Sequence, residues 1–165
     1  NLLTVIIKDN FLDKKNFYSL RKLFFDNDFP WFYNFTTTID KQDDPFNIMF
    51  THNFLKKDNE PSKWLPYLNP LLSKINAKKI LRIKANYIPK TPILISHPYH
   101  IDLDHKCKTG ILYINNNDGF TRFKKSETVS SEENKFIEFD SQIEHHGTTC
   151  TNRPARVLIN LNYEI

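Results

Sequence analysis

The chain has 165 residues, enough for one domain with a buried core, and its 39% hydrophobic content with 14 Phe and 7 Tyr excludes a disordered chain. No apolar run reaches the roughly 20 residues a membrane helix needs. Two cysteines without CxxC spacing exclude a disulfide framework and lead us to expect a reducing, cytoplasmic setting with no signal segment. The net charge of +4 arises from lysines scattered in pairs (Lys14-Lys15, Lys56-Lys57, Lys78-Lys79, Lys124-Lys125) among acids, so a nucleic-acid partner is not expected.

Along the chain, residues 2–8 read as a short strand. Asp13 offers an N-cap for a helix to about residue 25, with Phe17, Leu20 and Phe24 at i, i+3 and i+7. The aromatic stretch 29–35, interrupted by Pro30, reads as strand or irregular structure. Over 62–76, Leu65, Leu68, Leu72 and Ile75 repeat at helical spacing, and Pro66 and Pro70 make that helix broken or late-starting. Beyond Ala77 the pattern changes to short β-favouring runs at 80–87, 110–114, 120–123, 136–139 and 157–163. Asn115-Asn116-Asn117-Asp118-Gly119 reads as a hairpin turn, a type that needs positive φ. The polar stretches 40–60 and 124–134 are candidate lids. The expected fold is mainly β with N-terminal helices (α+β), a double-stranded β-helix or jelly roll backed by helices. It forms one domain over 1–165, with 1–78 a helical support region and 79–165 the jelly-roll core.

His100-Ile101-Asp102 carries the chemistry. In an extended segment, residues i and i+2 leave the same face, so the imidazole and the carboxylate point together. A second strand end can set His145 opposite them. Two histidines and one carboxylate occupying one face of a metal are the facial triad of non-haem Fe(II) sites, which keep open positions for other ligands. Those positions suit a bidentate 2-oxo acid and dioxygen, and the far carboxylate of 2-oxoglutarate then needs a buried cation. Arg156 opens the apolar strand RVLINLNY and shares a face with Leu158, Asn160 and Asn162, whereas Arg153 precedes Pro154 and falls in a loop. Tyr113 reads equally as core or as a hydroxyl reaching the co-substrate. His52, His97 and His105 read as surface residues or as neighbours of the site.

TGILYINNNDG with GFTRF after it, and the closing HHG…RVLINLNY, resemble the Fe(II)/2-oxoglutarate-dependent oxygenases. The similarity is to the prolyl-4-hydroxylase-like branch, especially small stand-alone members of marine bacteria and their phages, and it spans about residues 80–165. It implies Fe(II) on His100, Asp102 and His145, with His146 the alternative distal ligand. It also implies 2-oxoglutarate gripped by Arg156 and assisted by Tyr113, with Tyr87 near the same pocket. The cofactors would be Fe(II), 2-oxoglutarate and dioxygen, with ascorbate as a reductant. The implied activity is a dioxygenase coupling decarboxylation of 2-oxoglutarate to hydroxylation of a prolyl or other protein side chain. The alternatives are an oxygenase acting on a small metabolite or nucleobase, and a non-catalytic, cupin-like metal-binding jelly roll.

Overall fold

A computed structural model describes residues 4–34, 46–125 and 127–165. Asp13 caps α1 (Lys14–Phe24) by accepting the Asn16 backbone N–H at 3.0 Å, and the helix buries Phe17, Leu20, Leu23 and Phe24. The 62–76 segment splits into a 3-10 turn (Leu65–Leu68) and α2 (Asn69–Ile75). Each begins with one of the two prolines in its first turn, where a missing N–H removes no intrahelical bond.

The strands are β1 (Ile6–Lys8), β2 (Phe32–Asn34), β3 (Met49–Leu55), β4 (Lys79–Pro89) and β5 (Lys108–Tyr113), then β6 (Phe120–Phe123), β7 (Thr128–Ser130), β8 (Phe136–Asp140), β9 (His145–Gly147) and β10 (Ala155–Glu164). Seven form one sheet in the order β1-β8-β5-β10-β4-β3-β2, and β7-β6-β9 form a second. Every pairing is antiparallel. The segment before the triad runs beside β9: His97 N–H donates to the Gly147 carbonyl and Thr149 N–H to the Ile95 carbonyl.

β10 is the central strand, and its alternation divides the molecule. Val157, Ile159, Leu161 and Tyr163 pack with Ile83 and Ala85 against the helices. Leu158 faces the other way and joins Ile111, Tyr113, Ile137 and Phe139 beneath Phe123 and Val129 of the second sheet. The helices therefore back the large sheet, and the site lies between the sheets.

Several expectations change. The first 78 residues supply three strands of the large sheet besides the helices. Residues 49–55 of the 40–60 lid candidate are β3, paired on both edges, while residues 40–45 lie outside the described residues. In the 124–134 candidate, residues 128–130 are β7, and Ser126 is outside the description, as are residues 1–3 and Phe35. The 115–119 turn is not a hairpin, because β5 and β6 belong to different sheets and no glycine has positive φ. Gly119 meets a spatial demand instead: a Cβ there would lie 2.6 Å from Arg156 Cδ and 2.7 Å from the Thr149 carbonyl oxygen. No described helix is long and apolar enough to cross a membrane.

Candidate metal centre

His100 and His145 face each other across an isolated antiparallel bridge with reciprocal backbone hydrogen bonds of 3.0 and 3.1 Å. The pairing sets the two imidazoles side by side, ring centroids 4.8 Å apart. Asp102 Oδ1 lies 3.5 Å from His100 Nε2 and 3.9 Å from His145 Nε2. The three donor atoms all fall within 4.8 Å of one another.

The hydrogen bonds around the rings select the tautomer. His100 Nδ1 lies 3.1 Å from the Pro98 carbonyl oxygen, and His145 Nδ1 lies 3.0 Å from that of Ile143. A carbonyl only accepts, so each Nδ1 carries the proton, and in the neutral ring each Nε2 keeps its lone pair toward Asp102. Such carbonyl anchoring of the distal nitrogen is a usual second layer around metal-ligating histidines. Two bare imidazole nitrogens and a carboxylate oxygen on one face fit a divalent iron ion.

Asp102 is held from behind: Asn160 Nδ2 donates to its Oδ2 at 2.9 Å, and Arg82 Nη2 lies 3.7 Å from Oδ1. Burial would raise the Asp102 pKa, but the His100 contact and the charges of His145 and Arg82 outweigh it and hold the carboxyl well below the usual range. Burial is the main cause that depresses His145, so its neutral form prevails, whereas the Asp102 contact raises His100.

His146 points the other way, as the next residue of a strand must. Its ring lies edge-on to Tyr99, centroids 4.6 Å apart, and is buried there away from the cleft. Geometry therefore brings His145, and not His146, to the other two donors.

Arg156 is 1% exposed. Its Nε donates to Ser131 Oγ at 2.8 Å and its Nη2 to Thr121 Oγ1 at 3.1 Å, while Nη1 is 3.5 Å from the Thr148 carbonyl oxygen. Among the described residues no carboxylate pairs with it. Burial lowers its pKa, yet a guanidinium keeps its proton in a protein. An unpaired buried cation is expensive, which marks this point as a place for an anion. The guanidinium and all three metal donors line one cleft of about 90 Å³, walled by Ile88, Ile111 and Leu158.

Tyr113 is fully buried beside Arg156, whose Cζ lies 5.7 Å from the ring centroid, and its hydroxyl donates to Thr121 Oγ1 at 2.7 Å. It does not line the cleft but shares Thr121 with the guanidinium. Tyr87 departs from expectation. On β4 the cleft face carries Lys84, Asn86 and Ile88, so odd-numbered Tyr87 points to the helical side, against Trp31 at 5.5 Å. Its alternation in RIKANYIP carried that information. His52 is buried among Phe29 and Phe54, His105 pairs with Glu164 at the surface, and His97 lines the cleft.

The sequence reading missed Asn160, Lys84 and Asn86 as cleft residues. Asn160 had a signal, a polar residue on the Arg156 face of β10. Asn86 Oδ1 and Asn160 Oδ1 are buried acceptors that no described group donates to. Burial, chiefly, lowers the Lys84 pKa.

The sequence finds no match among protein-family models or curated proteins. The fold does find relatives. A Pseudomonas putida prolyl-4-hydroxylase superposes with a TM-score of 0.65 at 13% identity, over 99% of this chain and 94% of that one. The fold is that of the 2-oxoglutarate-Fe(II) oxygenases. An oxidoreductase of that family from Burkholderia pseudomallei gives 0.65 at 10% identity over 96% and 84% of the two chains. A Trichoplax adhaerens prolyl hydroxylase, solved with a hypoxia inducible factor peptide fragment, gives 0.63 at 15% over 99% and 84%. At these identities the oxygenase likeness is one of fold, and residue roles rest on this chain's own geometry.

Proposed function

We propose that this chain is an Fe(II)- and 2-oxoglutarate-dependent hydroxylase, with His100, Asp102 and His145 as metal ligands and Arg156 as the co-substrate anchor. One observation carries the reading: three converging metal donors and a buried guanidinium, with no carboxylate partner among the described residues, share a single cleft. With iron bound, the site would supply oxidation of a substrate C–H to C–OH as 2-oxoglutarate and O2 become succinate and CO2. Arg156 receives the distal carboxylate of 2-oxoglutarate through charge-assisted hydrogen bonds, and Thr121, held by Tyr113, fixes where the guanidinium points. Asn160 keeps the second oxygen of Asp102 occupied, so that the first is directed at the metal position. Ile88, Ile111 and Leu158 exclude water from the space between. The chain acts as one unit in which the helices brace the large sheet. By analogy with the peptide-bound neighbour, we assign a peptide substrate ahead of a small metabolite.

Anaerobic addition of Fe(II) and 2-oxoglutarate is expected to give the weak visible charge-transfer band of this chemistry, and admitting oxygen to yield succinate. An Asp102→Ala variant should lose both. Absence of the band and of succinate in the natural protein would reduce the chain to a metal-binding jelly roll. His145→Ala should lose iron where His146→Ala retains it; equal retention contradicts the ligand assignment.

A further inference from the structure

Beside the triad lies a second, more open space, a groove of about 740 Å³. β10 gives its direction. Arg156, Asn160 and Glu164 follow one another on one strand face, roughly 13 Å apart at about 3.3 Å per residue. Asn160 holds Asp102, Arg156 lies one such step to one side, and Glu164 lines the groove one step to the other. The groove therefore opens on the side of the metal donors away from the co-substrate anchor. Arg82 stands between the two spaces: its side chain lines the groove, its Nη2 is 3.7 Å from Asp102 Oδ1, and its Nε–H donates to Asn162 Oδ1 at 3.0 Å.

The floor is aliphatic, made by the half-buried Leu55, Ile80, Leu81 and Leu103. Lys56, Lys57 and Lys79 stand exposed along the rim. Asp104 and Glu164 oppose them, and Glu164 is already engaged by His105 at 3.2 Å. Cations thus outnumber free carboxylates around an apolar trough.

We propose that this groove seats an extended acidic segment of a peptide substrate, flanking the residue that enters past Arg82 to be hydroxylated. The assignment rests on the hydroxylase reading and adds the peptide's acidic character and the place where its flanking residues are held. Aliphatic side chains of a peptide match the floor, and its carboxylates match the lysine rim. A single-stranded nucleic acid would match the charge but not the floor. Bases bind by stacking on aromatic rings, and among the described residues no Phe, Tyr or Trp lines the groove.

The test uses a fluorescein-labelled dodecapeptide of Glu-Leu-Pro repeats, its Glu→Gln counterpart and a dodecamer of thymidine, read by anisotropy on the whole protein. The acidic peptide is expected to bind about tenfold more tightly than the Gln peptide, a preference that shrinks with salt. A Lys56→Glu/Lys57→Glu/Lys79→Glu variant should lose the preference while keeping the Fe(II)–2-oxoglutarate absorbance band. Equal binding of the two peptides, no binding of either, an unchanged preference in the variant, or tighter binding of the oligonucleotide would overturn the groove assignment. A natural protein that lacks the band overturns the hydroxylase reading instead, so the two failures are told apart.

Discussion

Arg156 separates function from stability more sharply than any other side chain. It is buried, among the described residues no carboxylate pairs with it, and its guanidinium is held by hydroxyls and one carbonyl. Hydrogen bonds to a charged group contribute about 1.5–3 kcal/mol each way they are measured. Arg156→Met is therefore expected to weaken 2-oxoglutarate binding by roughly 10–100-fold, measured calorimetrically with Mn(II) in place of iron. Its melting temperature should stay level or rise, since an apolar side chain of similar length removes an unpaired buried charge. A large fall in melting temperature would show that the guanidinium serves the fold. Asn160 makes the complementary case. Its loss leaves both His ligands in place and frees Asp102 to rotate, so Asn160→Ala should reduce metal affinity by about 10–100-fold, the usual scale for residues that orient a ligand. Unchanged Mn(II) affinity would remove Asn160 from the site. The i, i+2 spacing of His100 and Asp102 and the lone cation on the apolar β10 were legible in the sequence, whereas the approach of His145 and Arg156 to that pair depends on long-range sheet pairing that no local spacing encodes. Tyr87 misled because a resemblance in position was followed where the same alternation places it on the opposite face from Lys84 and Asn86.

At the scale of elements, the loops between strands are shaped around that guanidinium. Two of the three glycines, one before β6 and one ending β9, meet Arg156. The constraint differs between them. A Cβ on Gly119 would also strike the Thr149 carbonyl at 2.7 Å, and backbone cannot swing away. Gly119→Ala should thus cost about 1–3 kcal/mol, read as a lower denaturation midpoint. At Gly147 every near atom belongs to the far end of the Arg156 side chain, the closest at 3.0 Å. Gly147→Ala should leave stability nearly intact while moving the guanidinium and weakening 2-oxoglutarate binding several-fold. The reverse ranking in denaturation would contradict this account. These packing demands explain what local sequence signals missed. Asn115 to Gly119 has hairpin composition, yet it carries the chain from one sheet to the other, and the glycine answers to a residue 37 positions later (156 − 119). β3 escaped notice because Thr51, His52 and Asn53 show no apolar alternation; its neighbours β2 and β4 supply the pairing that makes it a strand. Helix α1 was readable because its buried residues follow the helical period, and β4 and β10 because they are long runs rich in β-favouring apolar residues.

The whole molecule is two sheets and a connecting segment that meet at the metal donors. His145 belongs to the small sheet, Asn160 behind Asp102 to the large one, and His100 and Asp102 to the irregular segment between β4 and β5. That segment is fixed to β9 by a few backbone bonds, and its side chains Ile93, Leu94, Tyr99 and Ile101 are exposed. Few buried contacts make it a low-stability part of the fold. A metal bound to all three donors would tie the segment to the small sheet directly and to the large sheet through Asn160. Mn(II) tests this without redox chemistry. At a hundredfold excess over its dissociation constant, a ligand specific for the native state adds about 2.7 kcal/mol. For a chain of this length that corresponds to a rise in melting temperature of roughly 5–10 °C. Amide exchange should slow most over residues 95–105 and at β9, and least at α1, which lies on the far face of the large sheet. Adding 2-oxoglutarate should extend protection to residues 119–121 and 147–149 around Arg156, and only after the metal is present. Asp102→Ala should abolish the first effect and, with it, the second. Protection spread evenly over the chain, or appearing first around Arg156 without metal, would mean that the sheets are not joined through the triad.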